Sequence, residues 1–447
     1  MKRQAKVEDL MKQFARGVLI ALAAILFITE TVSAGILEFG LGARAVGMGQ
    51  AQVAAVNDVS AMVYNPAAIT YARQYWDLEP RDVFAQVQQI TMDSNLYLNG
   101  IDQNEYYTPG MAFGAVLPIT RRLTLSTIAY FPSDTTLVIE FFRGPTIHRY
   151  RPARWFYAVT GGSLQLTRKL SIGVGMPLTL HFNASDLNMD LTALLASVGL
   201  DLGPGTKDLN PAFRIDVMLS PSYELGMLYQ PFKWMNIGAF YRYEQGNKFN
   251  VPIKIPPSAI TEDKELVLLI DGYMFVVNPP QMSFGIALFP NKNLTIAFDM
   301  QYDMWSNIDP YLVIRSSNTD LMSGTEEPEE RPEDVWWPKF GIEWKDRIGR
   351  KYSRLEYAVR GGYSFYKSPF PEMPEDSNYV DNDAHYFSGG ISIGYHPRRL
   401  LEYVSLDYFY EYIHMVEREH KDIERSPSVI VSDGHVIYQG FGLTIKM

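Results

Sequence analysis

Arg242 and Arg360 each lie in a stretch where apolar and polar residues alternate, and each falls on the polar side of its alternation. A guanidinium in that setting pairs bidentately with a carboxylate. The chemistry on offer is therefore capture of a ligand's acid group, or an ion-pair ladder with the nearby polar-face residues Asp299, Asp303, Glu356, Asp407 and Glu411. Catalysis has little to work with. There is no G-x-S-x-G and no H-E-x-x-H, no glycine-rich phosphate loop precedes a helix, and the seven histidines are scattered without ligand spacing, so neither a metal nor a cofactor is expected. A hydrolytic triad assembled by geometry alone is the one catalytic alternative. The chain has no cysteine, which excludes a disulfide framework and thiolate metal sites.

The elements that position these residues alternate with period 2. Between Leu294 and Met304 the even positions are Leu294, Ile296, Phe298, Met300, Tyr302 and Met304, against Thr295, Ala297, Asp299, Gln301 and Asp303 at the odd ones. One face suits lipid and the other a polar lumen. Similar alternations surround Trp234, Tyr357 and Tyr408. In order, the segments predict strands near 83–92, 109–118, 123–132, 153–167, 170–182, 213–230, 234–251, 278–290, 293–307, 336–346, 354–367, 384–397, 401–416 and 434–446. They number fourteen, and their connections alternate between short and long. That rhythm predicts an all-β, transmembrane, antiparallel up-and-down barrel, whose closure removes the unpaired edges that lipid cannot satisfy.

Residues 1–34 read as a secretory signal: the apolar run Gly17 to Ile28 follows Lys12 and Arg16 and precedes Val32-Ser33-Ala34. A start at Met11 would give a more compact charged region. Removal of this segment leaves 35 basic and 47 acidic residues, a net charge that argues against nucleic acid as a partner. Residues 35–78 form an N-terminal unit rich in Gly and Ala, either a periplasmic tail or a plug in the lumen. The barrel itself takes residues 79–447, with long external loops at 183–212, 252–277 and 308–335. In the first of these loops Leu187, Leu191, Leu194, Leu195 and Val198 recur at roughly helical spacing, a greasy surface in a place that offers little core. The acidic run from Glu326 to Asp334 reads as a solvated external loop, with divalent-cation contact to lipopolysaccharide the alternative.

Several local motifs, in order, resemble the FadL family of outer-membrane transporters for hydrophobic compounds. They are Gly40-Leu41-Gly42-Ala43-Arg44-Ala45, Asn57-Asp58-Val59-Ser60-Ala61, Tyr64-Asn65-Pro66-Ala67-Ala68, Gly226-Met227-Leu228-Tyr229-Gln230-Pro231 and Ile237-Gly238-Ala239-Phe240-Tyr241-Arg242. Further along come Phe284-Gly285, Trp305-Ser306, Arg360-Gly361-Gly362-Tyr363, Ser368-Pro369-Phe370-Pro371 and Asp381-Asn382-Asp383-Ala384-His385-Tyr386. The chain departs from the family pattern at Met447, where an aromatic is usual for assembly. The resemblance implies a barrel of about fourteen strands in the outer membrane of a Gram-negative cell. An N-terminal hatch would plug it, with an external apolar collecting groove, and substrate would leave through a gap in the wall. It implies passive uptake of long-chain fatty acids or other hydrophobic ligands, with outer-membrane lipid, lipopolysaccharide and the barrel assembly machinery as further partners.

The candidate ligand-binding residues are Leu191, Leu194, Leu195 and Val198 in the external loop and Arg242 and Arg360 on the wall. The candidate hatch residues are Asn65, Pro66 and Ala67, where Pro66 lacks an N–H and restricts its neighbour, and the Asn65 side chain is free to tie the plug to the wall. Two rivals make different demands. A protein-binding barrel similar to the PorV-like components of a secretion system would purify with secreted proteins rather than lipid, and a general porin would conduct ions steadily.

Overall fold

The computed structural model describes residues 40–80, 82–98, 100–102, 106–132, 139–143, 146–150, 154–188, 212–255, 266–308, 313–316, 332–349, 354–369, 382–397, 401–421 and 429–447. The predicted secretory signal and the loop residues Leu191, Leu194, Leu195 and Val198 lie outside the described residues. The wall runs β1 Phe84–Leu98, β2 Tyr106–Pro118, β3 Leu123–Pro132, β4 Arg154–Gln165 and β5 Leu170–Asn188. Three strands follow in two pieces each: β6 (Ala212–Pro221 and Glu224–Phe232), β7 (Met235–Arg242 and Gln245–Ile255) and β8 (Leu266–Asn278 and Gln281–Leu288). Then come β9 Leu294–Asp303, β10 Val335–Arg347, β11 Leu355–Tyr366, β12 Ala384–Tyr395, β13 Tyr403–Lys421 and β14 Val429–Lys446. Each pairs antiparallel with its sequence neighbour, and the β14 ladder onto β1, from Phe84↔Lys446 to Leu98↔Ser432, closes the fourteen strands into a barrel.

The expected alternation holds in three dimensions. Asp299 is buried while Phe298 is 47% exposed, and Arg360 is buried between exposed Val359 and outward-facing Gly361. Polar residues thus face a filled interior and apolar ones face lipid. On β10 the outward residues Trp336, Phe340, Ile342 and Trp344 are all exposed, and the two tryptophans are about 27 Å apart along the strand. That separation suits the aromatic girdles at the two faces of a bilayer. The tight turns form because short side chains satisfy the reversing backbone. Thr120 Oγ1 accepts from the Leu123 N–H (2.9 Å), Thr167 Oγ1 from Leu170 (3.0 Å) and Asn291 Oδ1 from Leu294 (3.0 Å).

The strands reach further outward than period 2 showed. β5 continues to Asn188, so Leu187 pairs with Phe213 in a ladder rather than opening a helix. The predicted loop 252–277 is in large part strand, with β7 ending at Ile255 and β8 starting at Leu266. Beyond the lipid band both faces of a strand are free to vary, and the alternation fades although the backbone pairing continues. The outer pieces of β7 and β8 form a separate sheet with Val313–Ser316, and among the described residues no ladder joins it to the outer piece of β6. The break between the two pieces of β8 coincides with Pro279-Pro280, which have no N–H to donate.

Residues 40–78 lie inside the barrel, toward the end that carries the tight turns. They fold as α1 Ala43–Gly47, α2 Ala61–Tyr64, a 3-10 turn Pro66–Ala68 and α3 Ile69–Tyr75. These helices are too short to be stable alone, and nearly every residue from Gly40 to Ile69 is buried against the wall. Contact this close requires a wall without side chains. Three cross-strand glycine pairs provide it: Gly173↔Gly226, Gly238↔Gly285 and Gly341↔Gly362. A methyl group on Gly173 or Gly226 would collide with the Asn65–Ala67 turn, on Gly238 or Gly285 with Val53, and on Gly341 or Gly362 with Met48 and Gly49. Gly49 (φ +61°) and Gln50 (φ +62°) take the left-handed turn that lets the hatch tip follow this groove.

Replacing Gly362 with Val should therefore displace the hatch tip while leaving the ladders intact, at a cost of about 1–3 kcal/mol. Single-channel recording on barrels that keep their heat-modifiable gel mobility checks this. Conductance should rise above the wild-type level, and an unchanged trace would mean the groove is not what seats the hatch.

Candidate functional site

The turn Asn65–Ala67 is pinned from both sides. The Asn65 amide donates to the backbone carbonyls of Val53 (2.7 Å) and Met227 (3.0 Å), and its Oδ1 accepts the Ala67 N–H (3.1 Å). One side chain thus ties the hatch to itself and to β6. Pro66, with no N–H of its own, starts the 3-10 turn that lays Ala67 over Gly226. Thr70 of α3 meets Ser163 of β4, hydroxyl to hydroxyl at 2.5 Å, and Val53 donates its N–H to Asp299 at 2.8 Å.

On the inner side of the hatch a buried charge network crosses from hatch to wall. Arg44 of α1 grips both oxygens of Glu343 through Nε (3.1 and 3.0 Å), and its other nitrogens reach Glu343 (2.8 Å), Gln52 (2.9 Å) and the Ala55 carbonyl (3.0 Å). Arg360 shares Glu343 (2.7 Å) and adds Asp407 (2.9 Å), and Lys345 pairs with Glu356 at 2.7 Å. Burial disfavours the Arg44 charge, yet the Glu343 carboxylate beside it more than compensates and raises its pKa above the usual guanidinium value. Burial pushes the phenols of Tyr64 and Tyr71 up, so both hatch tyrosines stay neutral donors. A cavity of about 40 Å³, room for a water or two, opens among Arg44, Glu343, Arg360 and Asp407.

A second cluster caps the outer side of the hatch. Arg242 donates to Glu224 (3.3 Å), to Gln281 (3.2 Å) and to the hatch carbonyl of Val63 (2.6 Å). Lys339 reaches Gln50 Oε1 (3.4 Å) and lies 3.9 Å from the Trp337 ring, with Asp299 opposite it in the ladder. Two to four residues further out on the same inward faces the lining turns apolar and aromatic: Ile90, Tyr157, Trp337, Tyr366, Tyr386 and Phe409 are all buried. Trp337 packs against Tyr366 at 5.2 Å and Tyr386 at 5.3 Å.

Both candidate arginines thus stand in the lumen, engaged by carboxylates and by each other's surroundings of wall and hatch. Of the acidic run, Glu333 and Asp334 lie within the described residues: Glu333 pairs with Lys367 (3.4 Å), and Asp334 clamps the Trp305-Ser306 turn, accepting from Tyr302 Oη (2.6 Å) and the Ser306 N–H (2.9 Å). Burial opposes its charge, but these bonds outweigh that and lower its pKa. Sequence reasoning passed over Lys339 and Glu343. The signal was present, since Trp337, Lys339, Gly341, Glu343 and Lys345 alternate with the lipid-facing Trp336, Phe340, Ile342 and Trp344.

Glu343→Gln would leave Arg44 and Arg360 without their shared counter-charge, a loss of about 3–5 kcal/mol. Guanidinium unfolding of the barrel in micelles should show a clearly lowered midpoint, and an unshifted one would show that Asp407 and Gln52 suffice.

No curated protein matches the chain. The family profile of the outer membrane protein transport proteins (OMPP1/FadL/TodX) matches residues 156–440, more than half the chain. The fold is similar to that of a FadL homologue from Pseudomonas aeruginosa, with TM-score 0.59 and 15% identity over 91% of this chain and 97% of that one. It is similar also to the toluene transporter TodX of P. putida (TM-score 0.55, 14% identity, 91% and 99% covered). A third likeness is to the CymD monoaromatic hydrocarbon channel (TM-score 0.53, 16% identity, 90% and 97% covered). At these identities the likenesses bear on the fold, and the profile match carries the family. With its closed barrel of fourteen strands, the chain belongs to the FadL/TodX family of outer-membrane transport proteins.

Proposed function

We propose that this protein is a passive channel for hydrophobic small molecules, with long-chain fatty acids and hydrocarbons the classes of ligand in view. The observation that carries the reading is the layer of buried apolar and aromatic wall side chains that lies directly beyond a seated hatch. An apolar ligand gains about 0.8 kcal/mol per CH₂ removed from water, so a chain of a dozen carbons binds there without a polar anchor. Specificity then follows the length and shape of the compartment. The hatch, held by polar contacts that include the Asn65 amide, the Thr70 hydroxyl pair, the Val53 and Val63 backbone groups and the Arg44 network, is the element that moves to let the ligand pass. That no ladder joins the outer pieces of β6 and β7 among the described residues supports a second way out, sideways through the wall. A seated hatch favours this reading over a general porin, which needs an open aqueous path.

Deleting residues 35–73 should raise conductance severalfold in planar bilayers, and a deletion barrel as silent as the full chain would end the plug assignment. Because the chain has no cysteine of its own, the pair Thr70→Cys and Ser163→Cys gives a clean lock between α3 and β4. Oxidation should stop uptake of a hydrophobic probe into vesicles, and reduction should restore it. Uptake that continues in the oxidised barrel would assign passage to the wall alone.

A further inference from the structure

The region just outside the hatch combines an apolar lining with a surplus of acidic groups. Four buried carboxyl side chains, Glu224, Asp299, Asp303 and Glu411, face two buried cations, Arg242 and Lys339. Arg242 is committed to Glu224 and to the Val63 carbonyl, and Lys339 stands against Trp337 with Asp299 opposite it in the ladder. Arg44 and Arg360 lie on the inner side of the hatch and share Glu343. No buried guanidinium or ammonium among the described residues of this region is therefore surplus to the acids around it. One oxygen each of Glu224, Asp299 and Glu411 is buried without a hydrogen-bond partner, so no donor offsets the negative charge at these atoms. Neutralising one or two of the four acids would lessen the repulsion without leaving the two cations in excess.

The same region offers neutral donors instead. Trp337 Nε1 and Ser364 Oγ are buried without partners, and Ser364 lies between Lys339 and Tyr386 in adjoining ladders. A buried N–H or O–H left unpaired favours a ligand that brings an acceptor. We infer that the ligand this lumen takes is uncharged, either a hydrocarbon or an apolar molecule bearing a single hydroxyl or carbonyl group, in preference to a fatty-acid carboxylate. The inference rests on the channel reading above and narrows its substrate class.

Two chain-matched quenchers test it on the full chain in detergent. The ω-bromo group of ω-bromoundecanol and of ω-bromoundecanoate quenches tryptophan on contact, so Trp337 reports occupancy of the lumen, with Trp337→Phe as the reference for the other tryptophans. At about pH 8, where the acid is ionised, the alcohol should half-saturate the Trp337-dependent quenching at a concentration on the order of tenfold lower than the carboxylate. Equal or tighter binding of the carboxylate would overturn the inference and leave the channel reading standing. If neither compound quenches beyond the Trp337→Phe reference, the lumen is not a ligand compartment, and the channel reading falls with it.

Discussion

A strand edge in hydrocarbon has no hydrogen-bond partner, and every other feature of this molecule follows from meeting that constraint. The wall must close, so β14 pairs with the whole of β1, from Phe84 to Leu98. Closure by fourteen strands leaves an interior too wide for wall side chains to fill by themselves. The chain fills that space with its own N-terminal segment, whose helices of four to seven residues depend on the wall for stability. Hatch and wall are thus mutual conditions: the barrel supplies the surface the hatch lacks, and the hatch supplies the core the barrel lacks.

How the two are joined determines what the protein can do. Three glycine pairs let backbone meet backbone, which gives close packing without interlocked side chains. Polar connections at Asn65, Thr70 and Arg44 then fix the register of the hatch in the wall. Such an interface is well defined, and it also buries apolar hatch side chains, among them Leu41, Met48, Met62 and Ile69.

The division of the lumen follows from the same arrangement. Charges cluster where hatch and wall meet, because buried arginines and carboxylates need one another and only the two surfaces together supply both. Beyond the hatch the requirement lapses and aromatic residues take over. The result is a layer of buried apolar and aromatic side chains beyond a polar layer that holds more acids than bases.

The sequence by itself determined the wall. Period 2, turn residues and an even number of segments placed all fourteen strands and put Arg242, Arg360 and Asp299 on the inward face. That much is legible because each strand samples the same two environments, lipid and lumen, at every second residue. The outer extensions of β5, β7 and β8 were not legible, since water on both sides imposes no alternation. Nor was the pairing of Arg44 with Glu343, 299 positions apart, or the assembly of Gly173 with Gly226 and Gly341 with Gly362 into one groove. A glycine in a strand carries no sign of what approaches it, and a charge carries no sign of its partner. Only the closed barrel, by bringing distant strands around one hatch, decided which charges neutralise each other and which acids are left facing the lumen.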